Sequence, residues 1–147
     1  MTNVQNCLEQ KPQPALLVSV GPDDMIVTVL QLMRDKRVRA VLVLEDERLI
    51  GIITQGDCAI KVLLPGLDAQ SVAVRDIMTV DPMTVQLADP MEACMGLMAS
   101  RNFRHLPVMD RGKVVGVVSI GDVVKDNIRQ MGQQIGFLET YIKGHGA

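Results

Sequence analysis

Two short stretches carry residue types that can meet a charged ligand: Thr54-Gln55-Gly56-Asp57 and Ser119-Ile120-Gly121-Asp122. In each, a hydroxyl stands three positions before a carboxylate, and a glycine directly precedes the acid. This is the spacing of a capping box, in which hydroxyl and acid satisfy free amides at a helix start. The same place suits an anion, because those amides and a hydroxyl can meet a phosphate. Glycine admits close approach to the backbone. A carboxylate one turn into the helix can accept both donors of a ribose diol. Capping and ligand binding are compatible roles, and the recurrence of the pattern favours a ligand over a cap alone.

Arg39 and Arg104 also stand at matching positions. One reading is a solvated basic helix end, since Arg34, Lys36 and Arg37 precede the first and Arg101 the second. The other is a guanidinium aimed at phosphate. His105 can donate to the same phosphate or serve a structural role.

These residues recur because the chain repeats itself. The difference between Gly116 and Gly51 is 65 positions, and that offset holds without a gap from Val18/Met83 to Val62/Asn127. Repeats come before any other reading of a sequence. Each copy reads as strand, helix, strand, strand, helix. In the first copy the strands are 16–20, Ala40–Leu44 and Leu49–Thr54. Gly21-Pro22-Asp23-Asp24 supplies a turn and an N-cap, and Ile26, Val29, Leu30 and Met33 give a helical stripe ending near Lys36. In the second, Met83–Val85, Leu106–Met109 and Val114–Ser119 are strands. Asp89-Pro90 starts a helix with proline at its first position, and Met91, Met95, Leu97 and Met98 form its apolar face. The predicted organisation is an arm at 1–15, a first unit at 16–66, a connector at 67–74, a second unit at 75–127, and a helix and tail at 128–147. Neither unit buries its sheet well alone, so the two should pack face to face in an α+β fold around a pseudo-two-fold. Val124, Ile128, Met131, Ile135, Leu138 and Ile142 form a heptad-like seam.

Composition narrows the function. Of 147 residues, 48 % are hydrophobic and only 2 % aromatic, so the core is aliphatic. A net charge of −2 argues against a nucleic-acid partner, as does the lack of aromatic stacking platforms. The apolar runs are too short to span a bilayer, so no membrane role is expected. Cys7, Cys58 and Cys94 fit no metal spacing and suit a reducing compartment. With no apparent signal segment, the expectation is a soluble cytoplasmic protein.

The motif Arg104-His105-Leu106-Pro107-Val108-Met109-Asp110, followed by Gly116-Val117-Val118-Ser119-Ile120-Gly121-Asp122, resembles a CBS domain, the module named after cystathionine β-synthase. The Asp76-Ile77-Met78-Thr79 stretch is also similar to that family. The two copies resemble a CBS pair, or Bateman module, over about 16–127. The match is weaker in the first copy, where Leu42 replaces the usual proline. The tail Leu138–Ile142 resembles that of small stand-alone bacterial CBS-pair proteins. The resemblance implies a non-enzymatic regulatory module that binds an adenosine-containing small molecule between paired sheets and signals to an effector protein of unknown identity. Asp57 and Asp122 would hold ribose hydroxyls, Thr54 and Ser119 phosphate, and Arg39 and Arg104 phosphate near the pseudo-two-fold. Adenine would lodge among Val38, Ala40, Ile53, Phe103, His105 and Val118. AMP is the expected ligand, with ADP, ATP, NAD or NADH as alternatives. Family members commonly form a flat disc from two pairs, so a homodimer is expected.

Two other classes of function compete. An enzyme would need a nucleophile–base pair, an acid–base dyad or a metal cluster, and none stands at a recognisable spacing. A pure interaction or scaffold module would carry the fold with empty clefts.

Overall fold

A β-hairpin forms the centre of each repeat because two β-branched runs flank a two-residue turn. In the computed structural model, which describes residues 2–11 and 17–132, β2 (Ala40–Glu45) pairs antiparallel with β3 (Arg48–Thr54), and β6 (His105–Asp110) with β7 (Lys113–Ser119). Asp46 and Glu47 have φ of 51° and 65°, and Arg111 and Gly112 have φ of 52° and 80°. Positive φ at both central residues matches the right-handed twist of a hairpin. The first turn adopts it without a glycine. Both hairpins shift register at the same point, after Val43 and after Val108, with Gly51 and Gly116 facing those valines.

The short strand β1 (Ser19–Val20) lies parallel to β2, and β5 (Val85–Gln86) parallel to β6. The second pairing lacks one bond present in the first. Leu42 N donates to Val18 O at 3.0 Å, whereas its counterpart Pro107 has no N–H to give. The crossover helices α2 (Ile26–Lys36) and α4 (Met91–Arg101) cover one face of each sheet. Ile26, Val29 and Met33, and Met91, Cys94 and Met98, point inward. Leu30 and Met95 lie at the stripe margins and are 39 % exposed each. Both helices end on a left-handed residue, Arg37 and Asn102, which turns the chain toward Arg39 and Arg104.

Two start signals act differently from the sequence expectation. Met25 is the N-cap of α2 and has no side-chain cap bond. Asp24 instead ties the preceding turn, its Oδ2 accepting from Gly21 N at 2.8 Å. Pro90 is likewise the N-cap of α4 rather than its first residue, with extended backbone (φ −70°, ψ 147°). A residue that must also form a β-bridge to a neighbouring segment stays extended, as Pro90 does with Asn3 and Met25 with Ala73.

Those two bridges show how the units are joined. Helix α1 (Val4–Glu9) docks on the second unit, through Val4 N to Asp89 O at 2.9 Å and Met91 N to Thr2 O at 3.0 Å. The segment with the 3-10 turn Val74–Asp76 and strand β4 (Thr79–Val80) docks on the first, through Val74 N to Asp24 O at 2.8 Å and Ile26 N to Val72 O at 3.0 Å. Each repeat's leader is thus exchanged onto the other repeat. β4 completes the order β1-β2-β3-β4 in the first sheet, while the second is β5-β6-β7.

Two aliphatic cores result, one per unit. Leu42, Ile52 and Val114 form a third buried cluster, with Ala40, Leu44, Leu49, Met109 and Val117 packed around it. This cluster joins residues of both hairpins, so the sheets meet across it. Helix α3 (Gln55–Cys58) continues with π-helical bonding over Ala59–Leu63. Its counterpart α5 covers 120–132. Of the apolar seam, Val124, Ile128 and Met131 are half exposed; Ile135, Leu138 and Ile142, and the tail resemblance, fall outside the described residues.

Candidate functional site

The strand-to-helix corners bring the paired candidates together in each unit. Ala40 stands opposite Thr54, and His105 opposite Ser119. One residue earlier, the chains are stitched by Gln55 N to Arg39 O at 3.1 Å and Ile120 N to Arg104 O at 2.8 Å. Val38-Arg39-Ala40 therefore abut Thr54 and its helix start, as Phe103-Arg104-His105 abut Ser119. Arg39 and Arg104 are exposed, and Val38, Ala40 and Phe103 partly buried. Ile53 and Val118 have no exposure, so their side chains belong to the unit cores.

Both hydroxyl–acid pairs close as full capping boxes. Thr54 Oγ1 accepts from Asp57 N at 3.2 Å, and Asp57 Oδ2 accepts from Thr54 N at 3.0 Å. Ser119 Oγ accepts from Asp122 N at 3.2 Å, and Asp122 Oδ2 from Ser119 N at 2.8 Å. The cap fixes each carboxylate in place, at 17 % side-chain exposure for Asp57 and 12 % for Asp122.

Each carboxylate also meets a lysine, a feature sequence reading did not pick out. Lys61 Nζ lies 3.3 Å from Asp57 Oδ1 and donates to Ile77 O at 3.1 Å. Lys11 Nζ lies 2.9 Å from Asp122 Oδ2 and donates to Val117 O at 2.9 Å. Lys61 is visible as an i,i+4 partner. Lys11 is 111 positions from Asp122, and nothing in its local sequence connects the two. The available signal was the likeness of Val4, Cys7 and Leu8 to Val74, Ile77 and Met78, which marks residues 2–11 as a leader like the second one.

The electrostatics cross the unit boundary. His105 is partly buried, and its Nδ1 makes no hydrogen bond among the described residues. Burial holds its pKa below the ordinary value of 6.5. The Asp122 carboxylate opposes that shift, and the positive charges of Lys11, Arg39 and Arg104 add to it. Arg39 of the first repeat thus acts on His105 of the second, so the two constellations share one electrostatic neighbourhood. A neutral imidazole and flanking guanidiniums can donate to an anion, and the capped carboxylates can accept from hydroxyls.

No helix among the described residues is long and apolar enough to cross a membrane.

Comparison with known proteins agrees with this geometry. The family model described as CBS domain matches residues 17–63 and 74–127. CBSX3, a mitochondrial CBS domain-containing protein of Arabidopsis thaliana, is 33 % identical over 127 residues. The alignment covers 83 % of this chain and 62 % of that protein, so the chain spans under two thirds of its relative's length. The structure of a Burkholderia ambifaria protein with CBS domains superposes at a TM-score of 0.84 with 36 % identity, covering 87 % of this chain and 95 % of that one. CBSX2, solved in complex with AMP, superposes at 0.70 with 28 % identity, covering 88 % and 98 %. Two matched segments, two sheets joined across a buried aliphatic cluster and exchanged leaders make this chain a member of the CBS-domain family, with two CBS domains in tandem as a regulatory module.

Proposed function

We propose that the chain is a non-enzymatic sensor of an adenosine nucleotide, with AMP its ligand, that reports occupancy to an effector protein. The observation that carries this reading is the twin constellation of a capped carboxylate, a hydroxyl and an arginine, set at the same corner of both repeats. In this reading Asp57 and Asp122 hold ribose hydroxyls, Thr54 and Ser119 receive phosphate with Arg39, Arg104 and His105, and adenine rests near the partly buried Val38, Ala40 and Phe103, while Ile53 and Val118, buried in the cores, only back the clefts. The AMP bound by CBSX2 supports the ligand class.

A second reading, a ligand with a longer phosphate chain, is favoured by one observation. The charge of Arg39 reaches His105 in the other repeat. ADP, ATP or the pyrophosphate of NAD or NADH would engage both arginines, where a monophosphate engages one, although salt weakens such long-range attraction.

The test is calorimetry with AMP, ADP, ATP, NAD and NADH, preceded by a thermal-shift screen. AMP should bind, and Asp57→Ala should weaken its cleft by roughly ten- to a hundred-fold, the loss of hydrogen bonds to a charged acceptor. Absence of a shift and of heat with all five ligands would leave an interaction module without nucleotide.

A further inference from the structure

We infer that Lys11 is a latch that a nucleotide must displace from the second cleft, so that occupancy of that cleft loosens the N-terminal leader. The inference rests on the reading of Asp122 as a ribose acceptor. At 2.9 Å the Lys11 ammonium takes Asp122 Oδ2, the oxygen that the cap also uses. A ribose diol that donates to both oxygens of this carboxylate competes with Lys11 for Oδ2. Lys11 is itself part of the docked leader, anchored by its second bond to Val117 O on β7.

The first cleft is built differently. Its lysine, Lys61, lies on the same helical segment as Asp57 and is 45 % exposed, against 31 % for Lys11. It can swing into water about its own side-chain bonds, losing its contacts with Asp57 and with Ile77 O. At the repeat offset, the counterpart of Lys61 is Asp126, an acid that is only 3 % exposed. Asp126 binds the other end of the same leader, accepting from Thr2 Oγ1 at 2.8 and 2.7 Å on its two oxygens. The leader is therefore pinned at both ends by carboxylates of α5, and only the Lys11 pin lies at a proposed ligand position. Opening it exposes no new charge in the core, because both partners regain water or ligand.

The experiment is AMP calorimetry on the full chain carrying Asp57→Asn, which isolates the second cleft. Adding Lys11→Met should tighten AMP binding by roughly ten-fold, the scale of one charge-assisted bond, while Lys11→Arg, which keeps the pin, should stay near the parent. Hydrogen exchange on the otherwise unaltered protein should show faster exchange at Gln5 to Lys11 when AMP is added. Unchanged or weaker AMP binding in Lys11→Met overturns the latch; weaker binding would make Lys11 a ligand contact. Failure of AMP to bind even the unaltered protein overturns the nucleotide reading, and the latch with it. AMP binding to the unaltered protein that Asp57→Asn abolishes, with or without Lys11→Met, overturns the latch alone.

Discussion

Leu8 lies directly over Gly116: a Cβ built on the glycine would come within 2.9 Å of both Leu8 methyl carbons. At the matching position a Cβ on Gly51 would meet Met78 Sδ at 2.6 Å and the backbone Thr79 O at 3.0 Å. Leu8 can move as a side chain, whereas Thr79 O is held in β4. Gly51→Ala should therefore cost more than Gly116→Ala, on the order of 1–3 kcal/mol for forced overpacking. Urea unfolding of the two variants measures the difference. Equal losses would show that the second leader, at Met78 and Thr79, yields as readily as the N-terminal one.

His105 makes stability depend on pH with a definite sign. Burial is the largest cause lowering its pKa in the fold, so the folded state favours neutral imidazole. Its contribution is full above the unfolded value of about 6.5 and is lost as pH falls through the lower folded value. His105→Gln should flatten the decline in melting temperature over that acidic window. An unaltered slope in the variant would assign the decline to other groups.

Cys7 and Cys94 should be unreactive while the protein is folded. Burial, the larger cause, pushes both thiols up to about 11, with the Asp122 charge adding for Cys7 and the Asp89 charge for Cys94. Cys58 is raised in the same direction, by burial and then Asp57. Since the thiolate is the nucleophile, labelling by a disulfide reagent at pH 8 should follow unfolding and be slow in native buffer. Fast stoichiometric labelling of Cys94 would mean that the second core opens locally.

The outer helices carry the apolar surface that predicts a homodimer. Ile60, Leu63 and Leu64 are 63 %, 77 % and 75 % exposed, and Val124 and Ile128 are 50 % and 56 % exposed. Large exposed aliphatic groups of this kind mark contacts. Light scattering at micromolar concentration should give twice the chain mass, and Leu63→Glu or Ile128→Glu should shift it toward the monomer. A monomer throughout, or a dimer indifferent to both changes, removes these helices from the interface.

Much of the architecture was legible because it is periodic. The 65-position offset aligned Thr54 with Ser119 and Arg39 with Arg104, and runs of Val, Leu and Ile located β2, β3, β6 and β7 within a residue or so. The capping boxes were legible as spacing. What escaped was non-local. No pattern within residues 2–11 reveals that Leu8 covers Gly116 or that Lys11 reaches Asp122, because those contacts exist only after the leaders cross. Asp24 read as a helix cap because it precedes an apolar stripe, yet its carboxylate turns back to Gly21. The competition between a turn and a helix for one acid is settled by the bridge from Met25 to Ala73, which sequence does not display.

The crossing of the leaders has a consequence for how such a protein can come into being. A solitary repeat with its own leader could not cover itself in this arrangement, since the leader reaches across to a neighbour. Two solitary copies would each cover the other, a symmetric swap of equal segments. The tandem chain is that mutual embrace made covalent, and duplication has freed its halves to diverge. Lys61 in one half and Asp126 in the other are the mark of that freedom: once two copies share a single chain, the same position can hold opposite charges.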